Sequence, residues 1–327
     1  MATSLAIVVA NWNGLHLLKP FLDSLAWQTW TGFDVVIVDN GSTDGSVAWL
    51  SAWSGPFTLR VVPLPVNTGF AHANNVGITA VMAAGADLVL TLNNDMELER
   101  DCIERLLAVV ERQPGFAAYQ LMQINHFDRR LIDGVGIGLT RWGSAFQHGY
   151  RQDLSVLADL PDHPFGVIAG AACYRASALR AVHSDHGYFD DRFFAYYEDV
   201  DLSLRLRARG ARFLLVREAV VYHMHSGTGG LNSPFKAFFL SRNLFYYLKK
   251  NIAPAELPAI LGYQLLRLGR ELLGHLLARR WKHVAAQVRG LAQGLFTGPA
   301  GEVRRLSRRS GDWAPVPNGA VDLSDQV

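Results

Sequence analysis

The residues best equipped for chemistry are polar side chains that fall where apolar runs end. Asp39 closes Asp34–Val38 and opens Asn40-Gly41-Ser42-Thr43-Asp44, and Asn93-Asn94-Asp95 follows Asp87–Leu92. Glu198, Asp199 and Asp201 begin a helical stretch, and His223 follows Ala219–Tyr222. A carboxylate such as Asp39 can accept hydrogen bonds from a base N–H or from ribose hydroxyls, although the same segment also reads as a turn capped by Asp44 or Ser42. Asp95 can hold a hard divalent cation, which takes few protein ligands and completes its shell with phosphate oxygens and water.

The acidic trio has a plain explanation as well. Acids are favoured at a helix N-terminus, and Asp201 and Arg205, four apart, are expected to pair on the helix surface. Phe189, Phe193, Phe194, Tyr196 and Tyr197 nevertheless crowd the trio. Apolar walls raise a carboxylate's pKa toward the range that suits a general base. His223 precedes Met224-His225-Ser226-Gly227-Thr228-Gly229-Gly230, whose N–H groups could form an anion nest.

Elements that could position these groups alternate along the first half. The continuous apolar run Leu5–Ala10 reads as a strand, as do Asp34–Val38, Thr58–Leu64 and Asp87–Leu92. Helical spacing covers Leu15–Trp27, Ser46–Trp53, Phe70–Ala84 and Glu99–Arg112. This alternation predicts an α/β fold with a mostly parallel sheet. In such sheets ligands bind past the strand C-termini, where Asn11, Asp39, Asn67, Asn93 and Asp95 stand. Further on, Phe116–Ile124, Val167–Tyr174, Phe213–Val216 and Ala219–Tyr222 read as strands, and 129–165 as loops and hairpins. Ser177–Val182 and Glu198–Arg209 read as helices, and from Pro234 the chain is mostly helical: Pro234–Lys250, Ala255–Ala278 and Lys282–Phe296. The domain expectation is therefore 1–233 for the α/β domain that carries the polar strand ends, 234–300 for a helical region and 301–327 for a poorly ordered tail.

Composition narrows the class. The chain has 327 residues, half of them hydrophobic and 18% charged, which excludes a wholly disordered chain. Two distant cysteines make neither a disulfide framework nor a metal site. Leu5–Ala10 is short and has no basic residue ahead of it, so it reads as a strand rather than a signal peptide. The net charge of +2 conceals a basic stretch: residues 241–310 hold 13 Lys/Arg against 3 Asp/Glu. Such a stretch suits an anionic surface.

In order and spacing these segments resemble the inverting family 2 glycosyltransferases of the GT-A fold, and most nearly their bacterial rhamnosyltransferase-like and galactofuranosyltransferase-like members. The segments are Val8–Gly14, Val38–Ser46, Asn67–Gly77, Leu92–Asp95 and Gly187–Arg209, extended by His223 and Arg242-Asn243. The resemblance implies that Asp39 reads the base or ribose of a dTDP-, UDP- or GDP-linked sugar, with Asn11, Asn67 and Asn93 lining the nucleotide site. It implies Asp95 and His223 as ligands of Mg2+ or Mn2+, Asp199 as general base, and Glu198, Gly170 and Tyr197 near the donor sugar or acceptor. Asn93 replaces the first Asp of the Asp-x-Asp motif, which implies weaker metal affinity. The implied acceptor is a glycan or lipid-linked intermediate of cell-surface polysaccharide synthesis. The implied location is cytoplasmic, with the inner face of the plasma membrane as a peripheral site.

In the C-terminal helices Gln264, Arg267, Glu271 and His275 form a polar stripe beside a broad leucine face. That face, with Arg279, Arg280, Lys282 and Arg289 nearby, suits either a membrane surface or a homodimer. Processive synthases of the family carry Gln-x-x-Arg-Trp; Leu277 stands in the Gln position before Arg280-Trp281, which favours single transfer. A sugar-nucleotide nucleotidyltransferase would need a basic Gly-rich loop where Asn11–Gly14 has no Lys or Arg. A non-catalytic nucleotide-sugar-binding protein would have no need of Asp95, Asp199 and His223 together. Nucleic acid would account for the basic helices but not for the acidic crevice. Gly134, Gly136 and Gly138 lack the strand-turn-helix context of a dinucleotide site.

Overall fold

The computed structural model describes residues 3–224 and 233–299. The Gly-rich stretch 225–230 and the tail from 301 lie outside these residues. The first half runs β1 (Leu5–Asn11), α1 (Leu15–Ala26), β2 (Phe33–Asp39), α2 (Ser46–Ala52), β3 (Thr58–Pro63), α3 (Phe70–Ala83) and β4 (Leu88–Asn93). These strands lie parallel in the order β3-β2-β1-β4. Asn11 is in register with Asp39, and Ala10 with both Val38 and Asn93, so three strand ends meet at one rim.

The second half comprises β5 (Met96–Leu98), α4 (Cys102–Arg112), β6 (Ala118–Asn125), β7 (Ile132–Gly134), β8 (Ile137–Leu139), β9 (Ala145–Gln147), β10 (Ala171–Arg175), α5 (Ala176–Val182), α6 (Glu198–Arg207) and β11 (Phe213–His223). The sheet continues β4-β10-β6-β11-β5. β6 and β11 are parallel, whereas β10 is antiparallel to both its neighbours because it returns from the long excursion after β6. β8 and β9 pair as a separate hairpin, so Gly134, Gly136 and Gly138 belong to short strands and their connection, not to a phosphate-binding turn.

Period-2 alternation explains the layering. In β1, Leu5, Ile7 and Val9 pack on one side of the sheet with α1 and α4, while Ala6 and Val8 pack on the other with α3. Near-continuous apolar strands are what a sheet covered on both faces requires.

Three differences from the sequence reading have physical causes. The helix expected from Glu99 begins at Cys102, preceded by β5, which is too short to show a period. Val167–Gly170 is irregular rather than strand, with its backbone donors taken by side chains: Val167 N–H by Ser203 Oγ, Ile168 N–H by Gln120 Oε1 and Ala169 N–H by Asp199 Oδ2. Phe213–His223 is one strand with a bulge between Val216 and Val220, not two strands.

α7 (Pro234–Asn251), α8 (Leu257–Leu277) and α9 (Trp281–Phe296) follow. α7 shares a core with the β8–β9 hairpin and α6 through Leu244, Phe245, Leu139, Val200 and Leu204, so it is packed into the sheet domain. In α8 the polar stripe turns toward the body. Gln264 is fully buried and donates to Trp142 O (2.7 Å) and Ser144 Oγ (2.9 Å), and His275 is buried. No helix among the described residues is long and apolar enough to cross a membrane.

Candidate active site

At the rim, Asn11 ties three strand ends together. Its Nδ2 donates to Asp39 Oδ2 (2.8 Å), and its Oδ1 accepts from Asn94 Nδ2 (2.7 Å). Asp39 Oδ1 accepts from Ser42 N–H (2.9 Å), closing the turn after β2. Both Asn11 and Asp39 are fully buried. Asn40 extends the lattice, donating to Asn67 Oδ1 (3.0 Å) and Gly69 O (3.1 Å) and accepting from Thr68 N–H (2.8 Å). Asn67 and Asn93 remain partly exposed. The strand ends thus form a cross-braced floor, with Asn11 and Asp39 as internal braces.

His223, at the end of β11, lies beside Asp95, with Nε2 3.2 Å from Oδ1. Its Nδ1 meets Asp133 Oδ2 at 2.5 Å. Burial alone would lower the imidazole pKa, but attraction to Asp95 and Asp133 and hydrogen bonds to both push it up to about 10. A carboxylate oxygen beside an imidazole nitrogen, with a second carboxylate on the far ring nitrogen, is the donor set that divalent cations take in proteins. Once the imidazole gives up its Nε2 proton, Asp95 and His223 offer an oxygen and a nitrogen ligand that suit Mn2+ or Mg2+. A second group, His186, Asp190 and Asp191, has ligand atoms within 4.8 Å of one another, but Asp190 is already held by Arg192 and Lys250.

Asp199 stands in the first turn of α6 and is half-buried. It accepts from Val200 N–H (2.8 Å) and Ala169 N–H (3.3 Å). The neighbouring Gly170 carbonyl accepts from Asn93 N–H (2.9 Å), so one turn links the Asp199 carboxylate to the segment that carries Asp95. A Cβ on Gly170 would lie 2.9 Å from the Asn93 amide nitrogen, which explains a glycine at this contact. Burial raises the Asp199 pKa to about 6, partly offset by those backbone N–H groups. Glu198 is raised well above its ordinary value, by burial first and by the Asp199 charge second.

The loop before α6 is strained. Phe194, Tyr196 and Tyr197 have φ of 67°, 69° and 71°, a conformation that costs of order 1–3 kcal/mol per residue. Asn243 of α7 holds it, sharing its amide hydrogens among Phe193 O (2.9 Å), Ala195 O (2.7 Å) and Tyr196 O (2.8 Å). Arg242 adds bonds to Arg192 O (3.0 Å) and Phe193 O (2.7 Å). From the other side Ala71 N–H donates to Phe194 O, and Gly69 (φ +89°) packs so closely that a Cβ would sit 2.5 Å from that oxygen. Asn243→Ala is expected to lower stability by about 1–3 kcal/mol. It should also cut turnover about tenfold through misplacement of the loop, with donor affinity unchanged; thermal unfolding and kcat against donor Kd check this.

The structure brings Asn93, Asp95, Asp199, Gly170 and His223 to one region of the rim. It places others differently from the sequence reading. Tyr197 is only 2% exposed and stacks on Tyr247 at 5.6 Å, so its ring packs in the core rather than toward a sugar. Asp201 and Arg205 do pair (2.8 Å), but in the interior, where Lys250 joins them, not on the helix surface. Sequence reasoning missed Asp133, Asn40 and Lys250. Asp133 lies in the stretch read as loops and hairpins, and nothing local distinguishes it. Asn75, whose amide holds Phe189 N–H and O (2.9 and 2.7 Å), could have been found as a buried polar residue in an apolar helix.

The model of the family described as Glycosyl transferase family 2 matches residues 6–175, over half of the chain. The chain belongs to glycosyl transferase family 2. It is 28% identical over 255 residues to the N-acetylglucosaminyl-diphospho-decaprenol L-rhamnosyltransferase of Mycobacterium tuberculosis, covering 70% of this chain and 79% of the relative. It is 26% identical to the amylovoran biosynthesis glycosyltransferase AmsB of Erwinia amylovora, covering 68% and 70%. Among solved structures, S. aureus TarS 1-349 with UDP-GlcNAc aligns with TM-score 0.56 at 17% identity, covering 91% of this chain and 82% of that one. The mannosyltransferase PcManGT of Pyrobaculum calidifontis, with GDP-Man and Mn2+, aligns with TM-score 0.54 at 18% identity, covering 89% and 87%. The chain spans 43% of a longer TarS chain. These structural likenesses establish the GT-A glycosyltransferase fold.

Proposed function

We propose that this family 2 member is an inverting, non-processive glycosyltransferase. It moves a hexosyl or deoxyhexosyl group from a nucleoside-diphosphate donor to a hydroxyl of a lipid-linked or glycan acceptor in cell-surface polysaccharide synthesis. The observation that carries the reading is the single turn, Ala169-Gly170, that joins the Asp199 carboxylate to the Asn93–Asp95 segment beside His223. The relatives named for rhamnosyl transfer to a decaprenol-linked sugar and for amylovoran synthesis support the acceptor class. The neighbours bound to UDP-GlcNAc and GDP-Man support a nucleotide-sugar donor.

In this reading the acceptor oxygen attacks the anomeric carbon from the face opposite the diphosphate. The C–O bond to the diphosphate breaks and its electron pair leaves on the diphosphate oxygen. Asp199 takes the proton of the acceptor hydroxyl, a role worth about a hundredfold to ten-thousandfold. One base is enough, because a single displacement inverts the centre. Asp95 and His223 would hold Mg2+ or Mn2+, which when bound neutralises charge on the diphosphate. The floor built on Asn11, Asp39, Asn40 and Asn67 fixes the nucleotide crevice by bracing it.

Thermal unfolding with dTDP-, UDP- and GDP-sugars, with and without Mn2+, tests the donor assignment: one donor should raise Tm in a metal-dependent way. Transfer assays with that donor and a lipid-linked acceptor then test the reaction. No stabilisation by any sugar nucleotide would refute the reading. Asp133 should orient His223 for the metal. Asp133→Asn is therefore expected to weaken metal affinity about 10–100-fold, read as a shift in the Mn2+ concentration needed for donor stabilisation.

A further inference from the structure

We propose that the outward face of α8 and α9 is a docking surface for an anionic phospholipid bilayer, against which the two helices lie in the plane of the headgroups. In α8 the polar stripe points inward and the leucines point out. Leu265, Leu266, Leu273, Leu276 and Leu277 are all exposed, Leu266 and Leu277 by 72% and 77%. These five fall on one side of the helix by its 3.6-residue period, with Gly262 and Gly269 between them and no charged residue among them. α9 repeats the pattern, exposing Trp281, Val288 and Phe296, which also share one side.

Monomeric soluble proteins rarely leave such a contiguous apolar face uncovered. The charges beside it say what covers it. Arg270, Arg279, Arg280, Lys282 and Arg289 are exposed along the flanks and at the α8–α9 corner. The only acid within 257–299 is Glu271, which is turned toward His275 (3.9 Å). A two-fold pairing of this face with itself would bring cationic rims together, since an isologous contact sets the same patch against itself. Anionic headgroups meet both the cations and, just beneath, the leucines. A tryptophan at the corner suits the headgroup level. α8 is 21 residues long, about 31 Å, yet it is not apolar enough to span. It is also fixed to the body by Gln264 and Leu268, so it can only lie along the surface. Because α9 packs along α7, which holds the Asn243 clamp, docking would set the catalytic crevice at a fixed attitude to the membrane that holds a lipid-linked acceptor; that consequence alone rests on the proposed function.

The test is flotation of the full chain with vesicles of phosphatidylcholine alone or with 30 mol% phosphatidylglycerol. Binding is expected to the anionic vesicles at low salt and to fall steeply at high salt. The triple variant R279Q/R280Q/K282Q should weaken binding about a hundredfold or more, each cation near the surface being worth roughly 1 kcal/mol. The triple variant L266S/L273S/L277S should abolish it. Both variants replace exposed side chains, so unfolding temperature and nucleotide-dependent stabilisation should stay at parental values and show that the fold is intact. Absence of flotation with anionic vesicles at low salt, or equal binding to neutral vesicles, would overturn the proposal. So would a dimer in sedimentation that the leucine variant dissociates while vesicle binding is absent, which would assign the face to a second copy. Vesicle binding is read without sugar transfer, so its failure and the failure of the glycosyltransferase reading are separate results.

Discussion

Asp199→Asn is expected to reduce turnover by about a hundredfold to ten-thousandfold while leaving the donor's dissociation constant within about twofold. The amide keeps the shape of the carboxylate and can still accept from Val200 N–H, the shorter of its two backbone bonds. What it loses is the ability to take a proton. Burial raises the Asp199 pKa to about 6, so the working, deprotonated form dominates only above that pH. The parent enzyme should show an acid limb in kcat near pH 6, falling tenfold per pH unit below it, and the residual rate of Asp199→Asn should lack that limb. Stability should move in the opposite sense. A carboxyl whose folded pKa lies above its unfolded value binds more protons in the folded state between about pH 4 and 6. Stability therefore declines as pH rises through that window, and removing the ionisable group should not lower the unfolding temperature at neutral pH. Near-parental turnover in this variant would take Asp199 out of the mechanism; loss of turnover together with loss of donor binding would make it structural.

Much of this site was legible because its parts sit at ends of elements. Strand-like runs of five or six residues stop at Asn11, Asp39 and Asn93, and a sheet places such stops at one rim whatever its finer topology. The aromatic crowd before Glu198 likewise announces desolvated carboxylates. The remainder depends on contacts that no local pattern encodes. Asp133 reaches His223 across 90 residues, and Asn243 reaches Ala195 across 48. Gly-to-side-chain fit at Gly170 is visible only once β4 and β10 are paired. Helical periodicity could show that α8 has a polar stripe and an apolar face, but not which one faces the body. Gln264 settled that by finding Trp142 O and Ser144 Oγ in the hairpin connection. The i,i+4 pair of Asp201 and Arg205 was correctly spaced yet assigned to the surface, because spacing says nothing about what α7 lays over it.

That overlying helix leads to the second large effect. Lys250, 3% exposed, donates to Asp190 Oδ2 (2.6 Å) and Asp201 Oδ2 (2.9 Å). Asp201 also accepts from Arg205 (2.8 Å) and Asn251 (3.2 Å), and Asp190 from Arg192 (2.8 Å). Lys250→Met keeps the length and apolar stem of the side chain but strips one cation from two buried carboxylates. Breaking one member of a buried charge network typically costs about 3–5 kcal/mol, whereas replacing a whole network by apolar groups can be neutral. The expected result is an unfolding temperature lower by roughly 5–15 °C, on the scaling for chains of this size. Although burial works to raise it, Arg192 and Lys250 hold the Asp190 pKa well below the ordinary carboxylate range. Its share of the stability is present above about pH 4 and drains as pH falls through the folded value. The variant should therefore lose less on acidification than the parent does. Adding Asp190→Asn to Lys250→Met removes one of the stranded charges and should recover part of the loss, giving a coupling energy in the double-mutant cycle of about 1–2 kcal/mol. Strict additivity of the two changes would mean that Lys250 does not act through Asp190. Because Asp201 lies two residues from Asp199 on α6, the same cycle carried through kcat tests whether the buried network holds the catalytic carboxylate in register with the Ala169-Gly170 turn.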